Sequence, residues 1–301
     1  YVKKKNGARR DKVKQTSAAI ADLQAKVDAG EANDEQQTEL AKLKAEFDAL
    51  PKEDFKAIIG CEVYVARRGM QLKEGKVDQS GYHLILLAKN EKGYKNLIKI
   101  VSKAWTEGFY MRPRTDHTEL EKYHEGLICC SACLGGEVPK QITNGNIEAA
   151  EEAVQWYKNL FGEDYYIEYQ AHTETEQQKL NEQLVRLATM LDIKYVVTCD
   201  AHYLTQEEQK YHSIFVKIGQ TREVGEIYND CYIQSEEEVI DKCKSTVAYN
   251  EKAIQTTQEI ADKCNVDYPL SAPIIPHANI PSNFKSERAY LQYLCNKGFK
   301  D

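Results

Sequence analysis

The sequence predicts an α/β fold, a (β/α) barrel with a helical hairpin set into it, and three observations predict that class. From about residue 57 onward, short runs rich in Val, Ile and Tyr alternate with stretches of helical period. Polar residues that packing does not require, Glu62, His83, Cys133, Asp200 and His202, sit within or at the ends of those runs. Residues 11–52, in contrast, are charged and carry no aromatic residue except Phe47.

Taken in order, Ile20, Leu23 and Val27, then Leu40, Leu43, Phe47 and Leu50, follow a spacing of three to four. DAGEAND separates the two sets, with Gly30 as helix stop and Asn33 or Asp34 as the next cap. This predicts two antiparallel helices with a narrow apolar seam, projecting from the rest. The basic residues Lys3, Lys4, Lys5, Arg9, Arg10, Lys12 and Lys14 at the root read as a solvated helix face rather than a DNA contact. Strand 57–65 follows, then strand 82–88 and helix 91–107, whose Tyr94, Leu97, Ile98, Val101 and Ala104 share a face. A short helix near 118–124, strand 127–132, helix 147–160, strand 164–169, helix 174–191, strand 194–199 and helix 205–218 come next. Strands separated by helices specify parallel βαβ units. Helices near 235–243 and 250–264 complete the barrel region. Pro269, Pro273, Pro276 and Pro281 mark an extended connector, and a final helix covers about 286–298.

Composition narrows the function. A net charge of −7 and a pI of about 5.7 exclude electrostatic nucleic-acid binding by the chain as a whole. No apolar run reaches the roughly 20 residues a membrane helix needs. Nine cysteines, an odd number, are scattered along the chain and suit reduced thiols in the cytoplasm. Cys130 and Cys133 have zinc-pair spacing, but no second such pair exists.

The chemistry starts from TCDAHYL, residues 198–204. Asp200 and His202 lie two apart after an apolar run; on a strand such side chains share a face. A carboxylate beside an imidazole at a strand's carboxyl end suits a divalent metal, although a capping Asp and a surface His would look the same. In AIIGCEVYVA, Ile59, Cys61, Val63 and Val65 share the helix-facing parity, so Glu62 points inward, where a lone carboxylate needs a partner. His83 opens the next strand and Cys133 closes the one after; a core histidine and a small buried thiol are the plain alternatives. Arg112 and Arg114 of MRPR could meet a phosphate or an interdomain carboxylate, or be ordinary loop arginines. His117 and His172 read as loop or capping residues, His124 as a surface residue, and His212 as a packing residue. LGGEV, residues 134–138, is too short for a phosphate-cradling loop.

The runs IIGCEVYVA, YHLILLAKNEKGYKNLIKIVSKA, GLICCSACLGGEV, DYYIEYQ and VVTCDAHYL, in this order and spacing, resemble the PHP (polymerase and histidinol phosphatase) domain carried by bacterial replicative polymerases, the DNA polymerase III alpha subunits. The resemblance runs from about Phe55 to the C-terminus. It implies that Glu62, His83, Cys133, Asp200 and His202 match metal-ligand positions. It also implies an N-terminal His-x-His pair, a further acidic or His ligand and a Thr-Asp-His segment, which this sequence does not contain. The chain therefore reads as a piece of a longer gene product, its barrel incomplete at the N-terminal strands. Residues 1–10 would be the remnant of an early barrel helix, 11–52 the inserted hairpin, 53–267 the barrel remainder, and 268–301 the connector toward the polymerase palm. The resemblance further implies Zn, Mn or Fe as cofactor, a phosphoesterase or 3′–5′ exonuclease activity or a purely supporting role, and DNA and other replicase subunits as partners. A free-standing PHP phosphoesterase and a non-catalytic interaction module are the alternatives.

Overall fold

The computed structural model describes residues 2–50, 54–220, 229–244, 251–267 and 277–299. The chain divides into two units, Tyr1–Val266 and Asp267–Asp301.

The first unit begins with helices α1 (Val2–Asp28) and α2 (Asp34–Asp48), which pack on each other. Residues 2–10 of the region expected as a separate remnant are continuous with the first hairpin arm, because the one glycine there, Gly7, costs only about 1 kcal/mol among better helix formers. Gly30, at φ 72°, turns the chain, and Asn33 caps α2 in a reciprocal box with Gln36. At the root, Asn6 donates to the Phe55 carbonyl (2.8 Å) and accepts from the Phe55 N–H (2.9 Å). Arg9 and Arg10 grip Asp54 beside it.

Six strands follow: β1 (Gly60–Val65), β2 (Tyr82–Ala88), β3 (Arg114–Thr115), β4 (Leu127–Cys130), β5 (Tyr165–Gln170) and β6 (Tyr195–Thr198). They form one sheet in the order β3-β1-β2-β4-β5-β6. Around them lie α3 (Glu91–Thr106), α4 (His117–Tyr123), α5 (Glu137–Thr143), α6 (Ile147–Phe161), α7 (Thr175–Met190), α8 (Gln209–Gln220), α9 (Glu236–Lys244) and α10 (Glu251–Lys263). The α/β class stands. Among the described residues no pairing joins β3 to β6, so closure into a barrel is not seen.

The expectation of parallel units throughout needs one correction. β2 runs antiparallel to both β1 and β4, whereas β1–β3, β4–β5 and β5–β6 are parallel. Between β1 and β2 the chain makes only a 3₁₀ turn, Lys76–Asp78. With no crossover helix to carry it back, the chain returns in the opposite direction. β3 and α5 were not foreseen: a two-residue strand has no period, and LGGEVPKQIT opens with glycines and a proline.

Strand parity sorts the two faces as expected. Val63, Val65, Leu84, Leu86 and Ile167 enter the larger core with Leu97, Ile100, Val154, Tyr157 and Leu184 from the helices. Ile128, Cys130, Tyr166 and Val196 face the other way and are covered by Ile260 and Cys264 at the end of α10. Glu62 lies on this second side. α3 seats against the turn before β4 through Gly93, where a Cβ would come within 1.7 Å of the Gly126 carbonyl oxygen. Gly93→Ala should therefore cost about 3 kcal/mol, the upper end for overpacking. A lower urea midpoint at unchanged m-value would register it.

In the second unit, Ser286 caps α11 (Glu287–Gly298) through Ala289 N–H, and Phe284 packs on Tyr290 and Tyr293. The proline-rich connector falls largely in 268–276, outside the described residues.

Candidate metal centre

Two groups of donors form where these strands end. The first is built by the reversed strand. Because β2 opposes its neighbours, its first residues lie beside the last residues of β4, and His83 meets Cys133 with Nδ1 3.4 Å from Sγ. Tyr64 pairs directly with His83 across β1 and β2, which leaves Glu62 on the diagonal; its Oε1 reaches His83 Nδ1 at 2.7 Å. The LGG segment, no phosphate loop, holds the imidazole. His83 N–H donates to the Gly135 carbonyl (2.9 Å), and a Cβ on Gly135 would stand 3.0 Å from the ring. The thiol and the carboxylate together raise His83 to about 10, and the hydrogen bond to His83 draws Glu62 below the usual carboxylate range. Without a metal, His83 therefore carries a proton that an incoming cation would displace.

The second group contains Asp200 and His202, but strand parity does not create it. β6 stops at Thr198, and Asp200 takes a left-handed conformation at φ 45°. The pair is set by a turn, which Asp tolerates better than most residues. The His202 ring Nδ1 contacts the Asp200 carbonyl at 2.6 Å. If Nδ1 carries the proton, Nε2 is the basic nitrogen. A third donor joins them: Asp200, His202 and Cys231 offer ligand atoms that lie within 4.8 Å of one another. Cys231 is 1% exposed and its carbonyl accepts from His202 N–H (2.7 Å) and Tyr203 N–H (3.2 Å). Burial pushes its thiol up to about 12 and raises the Asp200 carboxyl as well. His172 lies in the loop between β5 and α7, as the sequence suggests. It is buried, with Nε2 3.0 Å from the Cys199 carbonyl and 4.0 Å from Cys231 Sγ.

The two groups act on one another: the charge on His202 helps lower Glu62, and Glu62 helps raise Asp200. Behind them lies Glu168 on β5, which sequence reasoning passed over. It is 5% exposed, accepts from Ala132 N–H and Thr198 Oγ1 at 2.9 Å each, and is pushed up to about 7 by burial first. The inward-parity argument that singled out Glu62 applies equally to Glu168 in YYIEYQ. Cys231 carried no local signal, since only the return of the chain after α8 brings it to the Asp200 turn.

The two arginines part company. Arg114 is fully buried in β3 and donates to the carbonyls of Gly108, Met70 and Leu72, so it cannot reach a phosphate; it ties together loops whose backbone acceptors would otherwise be buried unpaired. Arg112 is exposed and lies over the Tyr64 ring, 5.9 Å from its centroid, while the same ring stands edge-on to His83. His117 opens α4, stacks on Trp156 and contacts Glu137, away from both donor groups. His124 caps α4 from a half-buried position edge-on to Phe161, and His212 packs near His202 and Tyr203.

A mixed α/β body with carboxylate, imidazole and thiol donors gathered at its strand ends suits a borderline divalent cation. Residues 12–172 match the PHP domain family, and the chain belongs to it. The match takes in the helical hairpin, upstream of Phe55. The chain is 39% identical over 256 residues to the DNA polymerase III subunit alpha of Borreliella burgdorferi, covering 83% of this chain and 22% of that protein. It is 38% identical over 257 residues to that of Treponema pallidum, with the same coverage, and 37% identical over 199 residues to that of Aquifex aeolicus, covering 64% and 17%. The chain thus spans about a fifth of the length of the curated relatives it matches.

Proposed function

We propose that this chain is the PHP part of a DNA polymerase III alpha subunit and that Glu62, His83, Cys133, Asp200 and His202 serve its divalent-metal site. The observation that carries this is the pairing of identity across 83% of the chain with donors in contact, Glu62 and Cys133 both on His83 Nδ1. The donor set fits Zn, Mn or Fe better than Mg, because it mixes thiol and imidazole with carboxylate. A cation held by these residues would supply an activated water and charge stabilisation for the leaving oxygen of a phosphodiester. The chain's own residues do the rest. Glu62 orients His83, the Asp200 carbonyl orients His202, and the exposed Arg112 over the Tyr64 ring would meet a phosphate. DNA and other replicase subunits are the partners this assigns, in the cytoplasm. No described helix is long and apolar enough to cross a membrane.

The gene sequence on both sides tests the assignment. An upstream His-x-His and a downstream carboxylate-bearing polymerase domain are expected; a reading frame confined to a small phosphatase would favour the free-standing enzyme. The 301-residue chain alone should neither polymerise DNA nor release nucleotides efficiently. Robust Mn-stimulated nucleotide release that Asp200→Ala abolishes would contradict this.

A further inference from the structure

The geometry points to a stacking ledge for an unpaired nucleotide on the rings of Trp105 and Phe109, with Arg112 taking the adjoining phosphate. Single-stranded nucleic acid is the class of ligand that this face presents to the donors. The inference rests on the proposed metal role of those donors and adds the means by which a strand is held beside them.

The ledge is built on a closed loop. α3 ends at Thr106, and Gly108 presses on β3 so tightly that a Cβ would stand 1.9 Å from the Arg114 carbonyl oxygen. The buried Arg114 side chain donates to the Gly108 carbonyl (3.1 Å), and Tyr110 N–H donates to the Arg112 carbonyl (3.0 Å). Residues 109–112 therefore form a tip with clamped ends. There Met111 takes a left-handed conformation, φ 64°, and is 66% exposed. Backbone strain in a non-glycine residue gathers where ligands are held.

The side chains displayed are those that grip single strands. Trp105 and Phe109 lie nearly parallel, 17° apart with centroids at 5.6 Å, and are 59% and 45% exposed. A planar base continues such a stack. Arg112 is exposed, and among the described residues no carboxylate pairs with it, so its planar charge is open to a phosphate. Phe109 and Arg112 are three positions apart, at most about 10 Å of chain, a span that a short run of nucleotides bridges. The tip is also continuous with the donors. The Arg112 guanidinium lies 5.9 Å from the Tyr64 ring centroid, and that ring stands edge-on to His83 with centroids at 5.1 Å. This continuity favours a nucleic acid over an apolar protein segment, since a phosphodiester is the bond those donors would serve. A base inside a duplex is already stacked on both faces and must unstack to reach the ledge, so unpaired ends are selected. The net charge of −7 gives no general attraction, and binding has to come from this local surface.

The test is binding of a fluorescein-labelled oligothymidylate of about 12 nucleotides to the 301-residue chain in chelator, followed by anisotropy and by tryptophan emission. The chain has two tryptophans, so Trp156→Phe leaves Trp105 as the sole emitter, and its emission should fall on binding. Trp105→Leu and Phe109→Leu, exposed positions where leucine keeps an apolar side chain without a ring face, should each weaken binding at least about fivefold. Arg112→Gln should weaken it too, and should flatten the slope of log affinity against log salt by about 0.7, one phosphate contact. Phe215→Leu, at an exposed ring on α8, should leave the affinity unchanged, and a duplex of the same length should bind more weakly. Unchanged affinity in both Trp105→Leu and Phe109→Leu, or duplex binding as tight as the single strand, would overturn the inference. No binding at all would overturn it as well and leave the exposed rings to a protein contact. Because the measurement is made without metal, failure of the ledge leaves the metal assignment standing; metal content of the full-length subunit reads that assignment separately.

Discussion

Asp200→Ala in the intact protein should lower Zn or Mn affinity by more than about 100-fold, beyond the 10–100-fold loss typical of outer-shell partners. Asp200 is the carboxylate of the second donor group and sits on a left-handed turn whose carbonyl also contacts the His202 ring. Its removal takes away the carboxylate and its negative charge, while the backbone carbonyl that contacts the His202 ring stays. The affinity should also weaken as pH falls in wild type, because His83, held near 10, must give up its proton to a cation. Metal content after exhaustive dialysis, compared across the two proteins at pH 6 and pH 8, reads both effects. Equal content in wild type and variant would remove Asp200 from the site.

Glu168→Gln should stabilise the metal-free chain at pH 8 by roughly 3 kcal/mol, the free-energy equivalent of a carboxyl moved from 4.5 to about 7. The sign follows from linkage. Below pH 4.5 both folded and unfolded chains hold this proton, and the residue contributes no penalty. Between 4.5 and 7 the folded chain keeps a proton that the unfolded chain releases, so stability falls as pH rises. Above 7 the full penalty of a buried carboxylate is present. Urea denaturation in chelator from pH 5 to pH 9 should show a wild-type decline that the Gln variant flattens. Parallel curves would mean that Thr198 and the Ala132 N–H already satisfy the carboxylate fully.

Much of the architecture is visible in residue order. The hairpin, the strands other than β3 and the face on which Glu62 lies follow from apolar spacing, because period reports which side of an element is buried. Strand direction does not follow. YHLILLA is the same run whichever way it enters the sheet, and only the helix-free link before it betrays the reversal. That reversal is what lets His83, at the start of a strand, meet Cys133 beyond the end of another. The Asp200–His202 pair was found for a reason that the backbone does not obey, since a turn rather than a strand sets it. Cys231 and His172 were hidden because their places depend on long-range return of the chain, and Arg114 because a buried arginine and a surface one look alike in a motif.

The hairpin that α1 and α2 make has a consequence for how this protein can vary. α1 alone is about 40 Å long at 1.5 Å per residue. Its arms pack on each other, and the polar ties at its root involve Asn6, Arg9, Arg10, Asp54 and Phe55. Matched deletions of whole helical turns from both arms leave those ties in register. The hairpin is thus an adjustable spar, whose reach can lengthen or shorten without disturbing the donors that the rest of the fold assembles.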